Sequence, residues 1–222
     1  MDPIASIKEA EAIAGSLTQT TKMPGFSYSI DARGCKTGSK LRQNPNSPCS
    51  KCYALKGRYV FPNVRNALSK RLEAVKHPRW VEAMTTLLRL KMKPEQVPYF
   101  RWFDSGDIQG KRHFRRIIEI AKRFPKLHFW LPTQEYEIVQ GEDIPPNLVV
   151  RVSEREFGFK KTRKWKNTSS VAPKIHKDSW AEMVENNTAN RWHCPSSLQN
   201  NECKSCRACW KPNIKHVVYP QH

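Results

Sequence analysis

Between Cys35 and Cys52 the chain has little from which to build a hydrophobic core. Three thiols lie in eighteen residues of a Gly-, Pro-, Asn- and Ser-rich stretch: Gly34-Cys35, a thirteen-residue spacer, then Cys49-Ser50-Lys51-Cys52-Tyr53-Ala54. A Cys-x-x-Cys pair puts both sulfurs on one side of a tight turn, and a cysteine upstream closes the site from another direction. That donor set suits a soft metal or an iron–sulfur cluster. Three thiolates are one short of a closed tetrahedral site. Either a fourth ligand comes from elsewhere in the chain, or one coordination position stays open for chemistry.

Around this loop, hydrophobic periodicity switches between strand and helix. Gly25 to Ile30 alternates apolar and polar residues and reads as a strand. After the loop, which runs to about Pro62, Asn63 is placed to cap a helix carrying Val64, Ala67, Leu68, Leu72 and Val75 on one face. His77-Pro78 breaks it, and a second helix follows with Trp80, Ala83, Met84, Leu87 and Leu88. Val97 to Phe103 reads as a buried strand. A helix over 111–124, a strand over 126–131, a helical turn over 137–141 and a strand over 147–152 complete the pattern. Alternation of this kind predicts parallel strands with right-handed crossovers, hence an α/β fold. A polar lead-in over 1–24, with a short helix from Ile4 to Ala14, precedes it. Residues 156–222 form a basic segment and a cysteine-rich C-terminal annex.

In parallel α/β folds the working groups collect at the C-terminal ends of the strands. Those ends carry Cys35, Cys49 and Cys52; then Asp104, Ser105, Gly106 and Asp107; then Thr133, Gln134 and Glu135; then Ser153, Glu154 and Arg155. In Asp104-Ser105-Gly106-Asp107 the glycine permits a sharp turn. The carboxylates can bind a ribose hydroxyl, a cation or an amine, or can simply make the turn and cap the next helix.

A second group is Cys194-x8-Cys203-x2-Cys206-x2-Cys209. The repeated x2 spacing matches iron–sulfur proteins, and four thiolates also satisfy structural zinc. His193 and His216 flank it. Seven cysteines are an odd number, which argues against a closed disulfide framework. No signal-peptide pattern opens the chain and no apolar run is long enough to span a membrane. The expectation is a cytoplasmic protein (host cytoplasm if phage-encoded), where thiols serve as metal ligands rather than disulfides.

Thirty-nine basic residues against twenty acidic give a net charge of +19, which points to a nucleic acid or a phosphorylated nucleotide as partner. Lys160, Lys161, Arg163, Lys164, Trp165 and Lys166 form the densest strip, cations with a stacking ring. Phosphate-loop, GxGxxG, HExxH and GxSxG patterns are absent, so kinase, dehydrogenase, zincin and α/β-hydrolase readings have no support.

The blocks Gly34-Cys35, Cys49-x-x-Cys52-Tyr53-Ala54-x-x-Gly57-x-Tyr59, Phe100-Arg101-x-x-Asp104-Ser105-Gly106-Asp107 and Cys203-x-x-Cys206-x-x-Cys209-Trp210 resemble a family of small cysteine-rich bacteriophage gene products. A related phage family is described as radical-SAM-like. The resemblance implies a partial (β/α) barrel with a [4Fe-4S] cluster held by Cys35, Cys49 and Cys52, and S-adenosylmethionine as a further cofactor. Ser105 and Gly106 would lie beside the cofactor. Asp104, Asp107 and Glu154 would position it or the substrate. Cys194, Cys203, Cys206 and Cys209 would hold a second cluster or zinc, or supply a donor to the first site. The first spacer is thirteen residues here where the radical-SAM pattern has three. The competing expectations are a non-catalytic iron–sulfur or zinc protein that binds nucleic acid, and an electron-transfer module.

Overall fold

The computed structural model describes residues 2–19, 22–92, 98–158 and 165–221. Lys160, Lys161, Arg163 and Lys164 of the basic strip, and Val97 of the second predicted strand, lie outside the described residues.

Helix α1 (Ile7–Ala14) begins at Ser6, whose hydroxyl accepts from the Glu9 N–H while Glu9 accepts from the Ser6 N–H, a reciprocal cap. It starts three residues later than the sequence predicts because that cap fixes the first turn. Strands β1 (Thr18–Gln19) and β2 (Phe26–Tyr28) lead into the cysteine loop, which contains α2 (Lys36–Leu41). Helix α3 (Pro62–Ala74) starts with proline in its first turn, so Asn63 lies inside the helix rather than capping it. A proline there loses no hydrogen bond, since the first N–H groups of a helix have no internal partner. Then come α4 (Trp80–Lys91), β3 (Tyr99–Trp102), α5 (Lys111–Arg123), β4 (His128–Thr133), α6 (Tyr136–Val139) and β5 (Leu148–Ser153).

The C-terminal third continues with β6 (Thr168–Val171), α7 (Lys177–Glu185), β7 (Trp192–His193) and β8 (His216–Tyr219). Among the described residues, eight strands form one sheet in the order β1-β2-β3-β4-β5-β6-β8-β7. Only β1 runs antiparallel to its neighbour; the other pairs are parallel. The α/β class predicted from the alternation is therefore present, and the sheet runs on into the cysteine-rich third. The sequence gives no strand signal for β6 because Thr-Ser-Ser-Val is polar. Its hydroxyls are paired inside the sheet instead. Ser169 and Ser153 share a hydrogen bond at 3.0 Å, and Thr168 and Ser170 meet the two ring nitrogens of His216 at 2.7 and 2.9 Å.

The two faces of the sheet differ. Phe100, Trp102, Phe129, Leu131, Leu148, Val150 and Val152 share one core with α1, α4 and α5. The opposite face carries Ser27, Arg101 and Trp130 in register, and Arg151 on the next strand. The C-terminal cysteine segment packs there, with Cys209, Trp210 and Ile214 against Trp130.

Arg151, fully buried, anchors that segment. Its guanidinium donates to the carbonyls of Cys209 (3.0 Å), Ala208 (2.8 Å), Lys211 (3.1 Å), Ile214 (3.0 Å) and Thr168 (3.4 Å). Removing it leaves several buried acceptors without donors, each costing about 1–3 kcal/mol. Arg151→Met is expected to lower the urea-unfolding midpoint, monitored by tryptophan fluorescence, by the equivalent of roughly 3 kcal/mol or more. Arg151→Lys should also lose stability, because an ammonium cannot reach this fan of carbonyls. An unchanged midpoint for both would show the clamp to be dispensable.

Burial pushes the His216 pKa down to about 3 from 6.5. The native state holds the ring neutral while the unfolded chain protonates it near pH 6.5. Its contribution is complete above that pH and is lost as pH falls toward 3. His216→Gln should therefore show a smaller drop in urea midpoint than wild type between pH 7.5 and pH 4.5.

Candidate metal centre

Parallel strands bring the ends of β2 to β5 to one side of the sheet, and the cysteine loop is tied to each in turn. Glu135, just past β4, accepts from the Thr37 N–H and hydroxyl, both at 2.9 Å, and so holds the turn that follows Cys35. The Gln109 side-chain amide donates to the carbonyls of Gly34 (3.3 Å) and Asp107 (2.8 Å). Lys36 donates to the Gln109 carbonyl at 2.8 Å. Past β5, the Phe157 N–H donates to the Asn46 carbonyl at 2.8 Å.

The loop gathers its thiols. Gly38 packs against them: a Cβ at that position would lie 3.7 Å from Cys49 Sγ and 3.8 Å from Cys35 Sγ, so both sulfurs border one point. All seven cysteines are free thiols. Burial, then Asp107, Cys52 and Cys49, push the Cys35 thiol far up. Burial and Cys52 raise Cys49 to about 11. Such neighbours resist becoming thiolates together unless a cation or cluster compensates their charge.

The Asp104–Asp107 turn is bolted to the end of β2. Ser105 donates its hydroxyl to the Ile30 carbonyl (2.9 Å) and accepts the Ile30 N–H on its own carbonyl (3.1 Å). Gly106 has φ +85°, and a Cβ there would fall 2.3 Å from Ile30 Cγ1 and 2.8 Å from the Ile30 oxygen. Phe103, just before the turn, also has positive φ (56°) and is buried. Strain of that kind in a non-glycine residue persists only where the surroundings enforce it.

The two aspartates, inseparable by sequence, have different environments. Asp107 spends its oxygens on the protein, accepting from Ile108 N–H (2.7 Å), Thr133 hydroxyl (2.6 Å) and Gln134 N–H (2.8 Å). Burial raises its pKa to about 7 against those hydrogen bonds. Asp104 accepts from the Tyr59 hydroxyl at 2.9 Å on Oδ2, while its Oδ1 is buried with no hydrogen-bond partner. The Tyr53 hydroxyl donates to the Asp104 carbonyl at 2.5 Å. Asp107 therefore stands beside Cys35, and Asp104 faces the tyrosines that follow Cys52. Glu154 is buried at the end of β5, its carbonyl accepting from Gln134 Nε2 at 3.1 Å. Thr133 and Gln134 serve the Asp107 network, and Arg155 stacks on Tyr136 at 4.1 Å.

The second cysteine group lies in the C-terminal segment, with Cys209 packed against the sheet. Burial raises Cys194, Cys203 and Cys209, the latter two to about 11 and 12, and the cysteine charges that add to each come from within this group. Of its flanking histidines, His216 has both ring nitrogens engaged with β6 hydroxyls. His193 leaves Nδ1 buried and without a hydrogen-bond partner, and stands edge-on to Trp180. Among the described residues, no three His, Cys, Asp or Glu side chains are disposed to hold a single metal ion. In the basic strip, Trp165 is partly buried beside Tyr136 and packs on the main core, while Lys166 is exposed.

Sequence reasoning passed over Arg101 as a functional side chain. It lies over the Trp130 ring at 4.4 Å. Burial opposes its charge, but Tyr53, Asp104, Tyr219 and Tyr59 hold it charged. Its charge in turn favours the thiolates of Cys194 and Cys203. It thus joins the Asp104 turn and its tyrosines to the second cysteine group. The available signal was a cation inside an aromatic strand, Tyr99-Phe100-Arg101-Trp102.

Gly106→Ala should cost at least about 2 kcal/mol in urea unfolding, since both φ and the Ile30 contact forbid a side chain. An alanine variant as stable as wild type would mean that the turn does not need this close approach.

A search of curated proteins and a search of solved structures each find no match. A family model described as Gene product 88 matches residues 6–212, which take in both cysteine groups and the strand-end turns between them. The chain belongs to this phage-type gene-product family.

Proposed function

We propose that the chain is an iron–sulfur enzyme of radical-SAM-like architecture that acts on a nucleotide or nucleic acid in the cytoplasm of a phage host. The observation that carries this reading is that Cys35 and Cys49 are free thiols whose sulfurs both border Gly38 in the loop after β2, with Cys52 near enough for its charge to raise both. The donor chemistry fits a cluster with three cysteine ligands, and the glycine at position 38 leaves room beside two of the sulfurs. The mostly parallel sheet, with α1, α4 and α5 packed on one face, is compatible with the α/β class that such a partial barrel requires.

A [4Fe-4S] cluster bound by these three thiolates would supply an open coordination position and single electrons for reductive cleavage of S-adenosylmethionine. The chain's own residues would orient the reactants. Asp104 has a buried oxygen free to accept a hydrogen bond from a ribose hydroxyl or an amine. Asp107, its oxygens already occupied, would position the Cys35 turn and the end of β4. Glu154 would line the same strand ends. Cys194, Cys203, Cys206 and Cys209 would bind a second cluster or zinc, with Arg101 balancing the thiolate charge of Cys194 and Cys203.

The test is anaerobic purification with iron, sulfide and zinc analysis, followed by EPR of the reduced protein with and without S-adenosylmethionine. About four irons should be lost on Cys52→Ala, together with a signal that shifts on adding S-adenosylmethionine. Cys206→Ala should leave that signal in place. Zinc alone, or iron whose signal ignores S-adenosylmethionine, would sink the enzyme reading and leave a metal-stabilised nucleic-acid-binding protein.

A further inference from the structure

The turn that follows Cys52 carries an uncommon surface. Val60 and Phe61 are 52% and 55% exposed, and Tyr53 is 44% exposed. Large apolar side chains grouped at a surface mark an interaction site. Beside them lie two adjoining pockets. One, of about 150 Å³, is lined by Arg33, Ala54, Tyr59, Val60 and Arg65 among others. The other, of about 370 Å³, is lined by Arg33, Val60, Pro62, Arg65, Asn66 and Ser69. Arg33, Val60 and Arg65 belong to both, so the pockets form one groove.

The charge of this region is one-sided. Residues 32–72 include ten lysines and arginines and no aspartate or glutamate. Asp31, which lines the smaller pocket, is occupied by Arg33, which donates to it from Nε at 2.9 Å, and the Arg65 charge also favours its ionised form. Arg65 is exposed on α3 and makes no ion pair among the described residues. Asn66 and Ser69 add neutral hydrogen-bonding groups on the same helix.

We infer that this groove binds single-stranded nucleic acid. Arg65, with Arg33 behind it, takes phosphates, Asn66 and Ser69 take sugar or base edges, and the exposed Phe61 ring stacks on a base. Cationic pockets beside exposed rings match an unstacked polynucleotide, whose base faces are available; a duplex keeps its bases stacked inside. The groove adjoins the cysteine loop at both ends, through Arg33 before Cys35 and Ala54 after Cys52. On the proposed enzyme reading it is the substrate-docking surface, although binding itself does not require a cluster.

Fluorescence anisotropy with labelled single-stranded DNA and RNA of about twelve nucleotides, over a range of salt, tests this. Arg65→Glu should weaken binding about tenfold and reduce the slope of log affinity against log salt by about one. Phe61→Ala should weaken binding about tenfold with an unchanged slope. Lys126→Glu makes the same charge change before β4, at the far end of the sheet, and should weaken binding less than twofold or so. Melting curves matching wild type exclude misfolding of these surface variants. The inference fails if Arg65→Glu and Lys126→Glu weaken binding equally, if Phe61→Ala has no effect, or if duplex binds as tightly as single strands. The DNA and RNA arms name the preferred strand. These readings are independent of iron content, so loss of the enzyme reading leaves the groove standing, and loss of the groove leaves the cluster test untouched.

Discussion

A guanidinium removed from water must find acceptors for its five N–H groups, and Arg151 finds them in five backbone carbonyls spread over β6 and residues 208–214. Burial disfavours its charge, and the nearby Cys209 and Tyr219 favour it. That one side chain converts a cysteine-rich segment with few apolar residues into an ordered layer on the sheet. The backbone of residues 208–214 has little regular structure, so its carbonyls would otherwise be buried without donors. The placement of Cys209, and through it the second cysteine group, follows from this contact.

The division of the sheet into two unlike faces is the second organising fact. Alternation along each strand sends Phe100 and Trp102 into the helical core and Arg101 to the other side. Helices cover the apolar face, while the C-terminal segment and its aromatic residues cover the polar one. Arg101 belongs to that polar face and interacts with Asp104 and the tyrosines after Cys52 on one side and with Cys194 and Cys203 on the other, which makes it a link between the strand-end turn and the C-terminal cysteines. The turns at the strand ends are held by short polar bonds rather than by packing: Glu135 to Thr37, Ser105 to Ile30, Asp107 to Thr133 and Gln134. Those bonds leave little slack in the loop that carries Cys35. Within a four-residue turn they also give the two aspartates different work, one bracing the frame and the other keeping an oxygen unpaired.

The cysteine pattern, the lopsided charge and the strands β2 to β5 were legible from residue order alone. Each of those strands is a local apolar or alternating run, and thiols in a loop of small and polar residues need no tertiary partner to be noticed. The sequence by itself therefore determined the α/β class and the candidate donors. Only the tertiary structure decided how they are used. Strand β6 is polar and becomes a strand because Ser153 and His216, from other strands, complete the hydrogen bonds of Ser169, Thr168 and Ser170. His216 lies near the cysteines in sequence, yet both its ring nitrogens are taken up by β6. The difference between Asp104 and Asp107, the clamp at Arg151 and the groove at Arg65 likewise depend on which groups become neighbours. Long-range pairing of buried polar atoms leaves no periodic trace in a sequence, whereas burial of apolar faces does.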